Sequence, residues 1–498
     1  MNPADPADEL ALLIRSRHPL ITIETVEEAR ARELIRRVAD RLDLPLYEWS
    51  VTSGLRNRLA QPQDALPNTE AADRAIGHLR FTEFQGVYVF NDLLPHLTSP
   101  LDKRLLREVV EAASAKRQCI ILIEQNVNLE PALTRLAAPF TLALPDEAQI
   151  KQLILDVCRK ANKEFRLKVD IKPSEYDTLV RNLRGLTEDE IRRSVWRAVI
   201  HDERLDGTDV PAALRTKQDM LKSTGTLEYI VPEASLADVG GLDRLKGWLK
   251  QRENALSAAA REFGVPPPRG ILLLGVQGAG KSLAAKATAA SWGLPLLRLD
   301  PGALYDKYVG QTEKHLRQAL ATAEALAPVV LWIDEIEKAF ASAAAQSNDG
   351  GLSQRMFGTL LTWLQDQKHP IFVVATANDI SALPPELMRK GRFDEIFFVD
   401  LPRPRAREAI FKVHLERRKR NASQFDLPSL AKASEGFSGA EIEQAVVSGL
   451  YTAFAAGKEL DTAILLQEIA QTRPLSVTMA ERIATLRQWA AERCVSAD

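Results

Sequence analysis

"ILLLGVQGAGKS", residues 271–282, runs from four apolar residues into a loop with three glycines, then into a lysine and a serine. The loop, Gly275-Val276-Gln277-Gly278-Ala279-Gly280-Lys281-Ser282, fits G-x-x-x-x-G-K-[ST]. It follows a strand-like run and precedes a helical pattern, which is the context this spacing needs. Glycines let the chain turn tightly and leave room for an anion. Backbone N–H groups and the helix N-terminus then face that anion. Lys281 is placed to reach outer phosphates, and the Ser282 hydroxyl to ligate Mg²⁺.

Working outward, short apolar runs alternate with amphipathic stretches. The runs are "LITI" (20–23), "VYVF" (87–90), "CIILI" (119–123), "ILLL" (271–274), "VVLWI" (329–333) and "IFVVAT" (371–376). Runs apolar on both faces and separated by helices predict an α/β fold, a parallel sheet covered on both sides. Mainly helical stretches follow at about 146–222 and 403–498, and 223–241 reads as a linker. "VVLWIDE" ends its strand in two carboxylates. Asp334 is the candidate to hold a water on Mg²⁺, and Glu335 to orient and polarise an attacking water. Asn378 ends the next strand, where its amide could fix that water. "MRKGRFD" adds Arg389 and Arg392, candidates for stabilising transition-state charge.

The layout occurs twice. "ITIETVEEARAR" (21–32) superposes on 271–282 at an offset of 250 without a gap. "VYVFND" (87–92) matches "VLWIDE" (330–335), and "CIILIEQN" (119–126) matches "IFVVATAN" (371–378). "LEPALTR" (129–135) matches "LPPELMR" (383–389), and "GLTEDEI" (185–191) matches "GFSGAEI" (436–442). Five matches in one order at nearly one offset indicate a duplication. In the first copy Ala31 stands at the Lys281 position, Glu28 and Arg30 at the glycine positions, and Asn91 at the Asp334 position. Asp92 keeps a carboxylate at the Glu335 position, while Glu27 and Glu28 would repel phosphate.

At 498 residues two to four domains are expected. Lys+Arg minus Asp+Glu is 65 − 67 = −2, so no global basic footprint points to nucleic acid or a membrane surface. Three scattered cysteines form no CxxC, which predicts a reducing compartment without disulfides or zinc. "MNPADPADEL" has neither a basic nor an apolar leader segment, and no run of about 18 apolar residues exists. The expectation is a cytoplasmic chain with no membrane span.

"PPPRGILLLGVQGAGKS", "VVLWIDE", "VVATAND", "PPELMRKGRFDE" and "GFSGAEI" together resemble the AAA ATPase module of the AAA+ superfamily, over about residues 236–460. The resemblance implies a P-loop NTPase fold: a parallel sheet between helices (236–402), then a helical lid with C-terminal helices (403–498). It implies ATP and Mg²⁺ as cofactors. Gly275, Gly278, Gly280, Lys281 and Ser282 become Walker A, Asp334 and Glu335 Walker B, and Asn378 sensor 1. Ser282 and Asp334 serve the metal, and Arg389 and Arg392 are fingers. "DVGG", with Asp238 and Gly240, resembles the stretch that lines the adenine pocket. Gly439-Ala440 falls at the helix start near the nucleotide. Val276-Gln277 stands where the family usually has prolines. "LYDKYVGQTEKHL" (304–316) resembles a pore loop, in which Tyr308 would grip a polypeptide inside a hexameric ring.

Other features read more plainly. "LERRKRN" (415–421) is a solvated helix face, and Met479, Ile483, Leu486 and Ala490 recur as a helix packed on the lid. "PLSVTMAERIATLRQWA" (474–490) resembles the tail of an AAA group of plastids and cyanobacteria. The expected whole is a degenerate AAA-like α/β domain without a phosphate loop (1–222), a linker (223–235) and an active AAA module, acting on protein clients as a homo-oligomer. The rival expectation is a nucleotide-gated regulator or scaffold that recruits a partner without threading it. A nucleic-acid motor is disfavoured by the charge.

Overall fold

The computed structural model describes residues 5–58, 65–209, 217, 227–231, 235–256, 260, 262–304, 311–339, 352–380, 383–389 and 391–498. Two compact units emerge: residues 1–168 with 186–204, and residues 169–185 with 205–498. In space, then, residues 169–185 and those from 205 onward group with the second unit, whereas the sequence expectation places a single boundary at 222.

The first unit holds strands β1 (Leu20–Glu24), β2 (Leu46–Ser50), β3 (Gly54–Asn57), β4 (Gly86–Asn91), β5 (Gln118–Glu124) and β6 (Ala137–Phe140). Their order is β3-β2-β4-β5-β1-β6, parallel except for the β2–β3 hairpin. Helices α1 (Pro6–Arg15), α2 (Glu28–Arg41), α3 (Ala72–Phe81) and α4 (Pro100–Ala113) cover the sheet. Ile21 and Ile23 pack under α1 and α2, while Leu20 faces α3 and α4. Such two-sided burial is why these runs are apolar without alternation. Helices α5 (Glu147–Glu164) and α6 (Glu188–Asp202) pack on each other.

The second unit repeats the plan. Its strands are β7 (Leu227–Ile230), β8 (Gly270–Gly275), β9 (Leu296–Leu299), β10 (Val329–Ile333), β11 (Ile371–Ala377), β12 (Glu395–Val399) and β13 (Val495–Ser496). Their order is β7-β9-β10-β11-β8-β12-β13. Five successive strands, β9-β10-β11-β8-β12, correspond to β2-β4-β5-β1-β6 of the first unit, so the duplication inferred from sequence is present as one topology built twice. Ile271 and Leu273 of β8 lie under α7 (Asp243–Arg252) and α8 (Lys281–Ser291). Leu272 and Leu274 face α9 (Gln311–Ala325) and α10 (Leu352–Asp366). Ala284, Ala285, Ala287 and Ala289 make α8 thin on its buried side, so it sits close over the strand that delivers the loop. Helices α11 (Pro404–Arg417), α12 (Leu427–Ala433), α13 (Gly439–Ala455) and α14 (Thr462–Gln471) form a separate core around Phe411, Leu430, Ile442, Val446 and Leu465. This is the expected helical lid.

The structure adds detail to two expectations and corrects a third. Part of the linker, Leu227–Ile230, is a strand antiparallel to β9 at the sheet edge. Leu227 and Tyr229 point into the core and Glu228 outward, a period-two pattern only four residues long. The C-terminal stretch is not wholly helical: β13 pairs with β12, Ala497 N–H donates to the Phe398 carbonyl at 3.0 Å, and Leu245 N–H donates to Ala497. Finally, α15 (Ala480–Ala491) does not pack on the lid core. Ile483 and Leu486 bury against Val276, Ile380 and Phe398, beside the phosphate loop.

Candidate functional site

The glycine loop is shaped by its neighbours. Any Cβ on Gly275 would collide with the Val399 carbonyl of β12, so only glycine lets the loop leave the sheet there. Gly278, at φ 75°, turns its carbonyl to accept from Ala440 N–H at 3.1 Å, joining the loop to the start of α13. Gly280, at φ 102°, precedes the first turn of α8. The buried Lys281 ammonium donates to the carbonyls of Gly275 and Val276, both at 2.8 Å. Burial pushes its pKa down to about 8, against the pull of Glu337, Asp334 and Glu335.

The acidic end of β10 is held from both sides. Asp334 Oδ1 accepts from Thr376 Oγ1 at 2.9 Å, and Oδ2 accepts from Arg298 at 2.9 Å. Glu335 adopts φ 50° and donates its N–H to Thr376 Oγ1 at 3.1 Å. Asn378 Nδ2 donates to Glu335 Oε1 at 3.0 Å, and Lys338 pairs with the other oxygen. Glu337 is buried. Its Oε1 accepts from Asn378 N–H at 2.9 Å, its Oε2 has no hydrogen-bond partner among the described residues, and burial raises its pKa.

The loop, Asp334, Glu335, Thr376 and Asn378 line one cavity of about 460 Å³ between the sheet and the lid. From the sheet side come Gly278, Gly280, Lys281, Ser282, Asp334, Glu335, Thr376 and Asn378. Asp238 and Gly240 form one wall, and Gly439 and Ala440 close it from the lid, joined by Ile410, His414, Arg417 and Glu443. The Asp238 carboxylate is spent on Ser235, accepting from its N–H at 2.7 Å and its hydroxyl at 2.8 Å, and those bonds hold its pKa below the usual value. Gly240 lies so close to Ile410 and Ala406 of α11 that a side chain would not fit. His414 is held near Glu443 at 3.5 Å, which Arg418 also reaches at 3.0 Å, and burial lowers the imidazole pKa. The basic cluster expected to be a solvated helix face therefore gives Arg417 to the cavity wall and Arg418 to Glu443.

Arg389 and Arg392 do not line this cavity. Arg389 follows a short 3-10 turn, and Arg392 donates to the Glu386 carbonyl. Tyr308 lies outside the described residues. Thr376, Glu337, Arg298 and His414 are absent from the sequence reading. Glu337 and Thr376 could have been noticed from their places two residues beyond Glu335 and before Asn378, but Arg298 has no motif signal.

The corresponding place in the first unit is filled by its own chain. Glu27, only 6% exposed, precedes α2 where the second unit has its loop. Its Oε1 accepts from Glu188 N–H at the start of α6 at 2.7 Å, and its Oε2 accepts from Arg30 at 3.0 Å. Arg30 in turn pairs with Glu188 at 3.0 Å. Glu188 matches Gly439 by the 251-residue offset, so the helix joined to the loop by Gly278 in one copy is joined by a carboxylate in the other. Asp92 shares the φ of 50° found at Glu335. Asn91 donates to Glu48 at 3.2 Å, where Asp334 accepts from Arg298.

Residues 271–401 match the family described as "ATPase family associated with various cellular activities (AAA)". Residues 6–142 match "SpoVK-like AAA ATPase, N-terminal domain", and residues 148–224 match "SpoVK-like AAA ATPase, second domain". The chain is 36% identical to the AAA domain-containing protein ycf46 of Pyropia yezoensis, over 97% of both chains. It is 27% identical to the Cell division cycle protein 48 homolog of Archaeoglobus fulgidus, over 70% of this chain and 51% of that one. With the Proteasome-activating nucleotidase of Aeropyrum pernix the identity is 34%, over 46% of this chain and 58% of that one.

Proposed function

The chain belongs to the AAA ATPase family, and we propose that it hydrolyses ATP with Mg²⁺ at one site per chain and uses the cycle, as a homo-hexamer, to remodel or unfold protein clients. One observation carries the reading: the glycine loop, Lys281, both strand-end carboxylates, Asn378 and the lid helix start all line a single cavity. In this reading residues 1–222 are a copy without hydrolysis, joined through 223–235 to a large subdomain (236–402) and its lid (403–498). The similarity to a nucleotidase named as proteasome-activating supports a protein client.

The Ser282 hydroxyl and the Asp334 carboxylate line the same cavity, and such hard oxygen donors suit Mg²⁺. Bound there, the ion would neutralise charge on the phosphates. Lys281 would leave its loop carbonyls for the outer phosphates. Glu335 would polarise the attacking water, held in place by the Asn378 amide at 3.0 Å. Arg389 and Arg392, which do not line their own chain's cavity, would serve the nucleotide of a neighbouring subunit.

The test compares two variants. Glu335→Gln should bind ATP and lose turnover by about 10²–10⁴-fold, whereas Lys281→Ala should lose binding itself. Near wild-type turnover in Glu335→Gln would refute the assignment. Proteins captured on that stalled variant become substrates for an unfolding assay. A Tyr308→Ala variant that still extracts them would remove threading from the proposal.

A further inference from the structure

Arg298 stands on β9 opposite Trp332 of β10, and its side chain runs along the strand to the carboxylate two residues on. One arm, Nη2, donates to Asp334 Oδ2 at 2.9 Å. The other, Nη1, lies 3.4 Å from Glu228 Oε2 on the edge strand β7. The guanidinium carbon sits 5.2 Å from the Trp332 ring centroid, and Nε is buried without a partner among the described residues. Thr376 already takes Asp334 Oδ1. Both oxygens of the carboxylate assigned to the metal are thus engaged, one of them by a fixed positive charge. Asp300 adds a further carboxylate near the guanidinium.

We propose that Arg298 is a positioning residue that toggles between Asp334 and Glu228 and so sets how readily a divalent cation is accepted at the nucleotide site. This rests on the reading of the cavity as an Mg²⁺–nucleotide site. A guanidinium 2.9 Å from a carboxylate neutralises it, and a dication arriving at the same carboxylate meets a like charge. The planar fork already spans two carboxylates, so releasing Asp334 does not strand the cation. Glu228, about half exposed, is the carboxylate that receives it. Because Glu228 lies on the edge strand formed within the stretch expected to be a linker, the toggle ties metal acceptance to where that strand sits. The first unit gives the contrast. Glu48 and Asn91 occupy the equivalent positions and keep the cross-strand hydrogen bond at 3.2 Å with donor and acceptor exchanged and no cation in the pair, where no phosphate loop exists.

The test uses the full chain, a fluorescent non-hydrolysable ATP analogue and an Mg²⁺ titration, reading analogue affinity rather than turnover. In Arg298→Gln the Mg²⁺ concentration giving half of the affinity gain should fall by about two- to fivefold, the effect of removing one partly exposed ion pair. Glu228→Gln should move it the other way, since the guanidinium then stays on Asp334. Arg298→Lys keeps the charge but cannot span both carboxylates, and its midpoint should fall between those two. A midpoint in Arg298→Gln that is unchanged or raised would overturn the toggle, as would a Glu228→Gln midpoint equal to wild type. If Arg298→Gln fails to fold, the Glu228→Gln midpoint decides alone: a raised midpoint supports the toggle, and an unchanged or lowered one overturns it. Failure of the wild-type chain to bind the analogue at any Mg²⁺ concentration would instead refute the underlying reading of the cavity.

Discussion

Replacing Glu27 by alanine should loosen helix α6 from the first unit's sheet. The Glu27 carboxylate is almost fully buried and makes two bonds, to Glu188 N–H at 2.7 Å and to Arg30 at 3.0 Å. Losing the first costs about 0.5–2 kcal/mol, the range for a helix N-terminal acceptor. Losing the second costs about 1.5–3 kcal/mol if Arg30 finds nothing else. Arg30 keeps Glu188 at 3.0 Å, and Thr187 still caps the helix through Glu190 N–H at 3.3 Å. The full cost of stranding a buried charge therefore does not apply, and about 2–3 kcal/mol is expected. Local opening should then be about 30–150-fold more frequent. Glu27→Gln keeps the shape but only one acceptor oxygen; with that oxygen on Glu188 N–H the tie to the helix survives and the bond from Arg30 is lost, so about 1 kcal/mol is expected. Hydrogen exchange of the full chain reads this directly, with peptides from 188–202 as reporter and 439–455 as control. An ATP analogue should protect 439–455, whose first residues line the cavity. Exchange within twofold of wild type over 188–202 in Glu27→Ala would refute the carboxylate as the tie.

The buried Glu124 carboxyl has its pKa raised to about 7, first by burial and then by Asp92. It therefore favours folding below about pH 4.5 and loses that contribution as pH rises towards 7. The loss is at most about 3 kcal/mol; Glu124→Gln should flatten this slope in pH-dependent unfolding of the first unit. Leu486→Ala removes packing worth about 2–4 kcal/mol beside Val276, so ATP-analogue affinity should fall about threefold or more, whereas the exposed Arg487→Ala should leave it unchanged. Arg389→Ala and Lys281→Ala should each be nearly inactive, yet mixed rings should regain part of the ATPase activity in a concentration-dependent way. No recovery in mixed rings confirmed by native mass spectrometry would argue against fingers acting between subunits.

Long apolar runs and the phosphate loop could be read from sequence because their pattern is local. All six runs quoted above became strands buried on both faces. Strand β7 escaped because four alternating residues among Pro, Gly and Ser carry little period, and only the exposed edge of β9 recruits them. Strand β13 escaped because two residues have no pattern at all, and their pairing depends on β12 and on Ala497 meeting Leu245. For α15 the apolar spacing marked a buried face correctly, but spacing cannot name what covers it. Val276, noticed only as a missing proline, turns out to be what Ile483 and Leu486 rest on.

The charged positions explain why the site was only partly legible. A motif fixes which residue types stand near phosphate, but not what neutralises them before phosphate arrives. Lys281 is satisfied by two loop carbonyls and Asp334 by Thr376 and Arg298, partners that lie between 5 and 42 residues away. The acidic Glu27 shows the same limit from the other side. As an isolated letter it is a group that repels phosphate. In the fold it is an anion at a helix N-terminus, which is where the helix dipole and free N–H groups favour negative charge. A domain that supplies this anion from its own chain has no need to recruit one. The two copies therefore differ less in architecture than in whether the anion between strand and lid is covalent or must be bound, and released, each cycle.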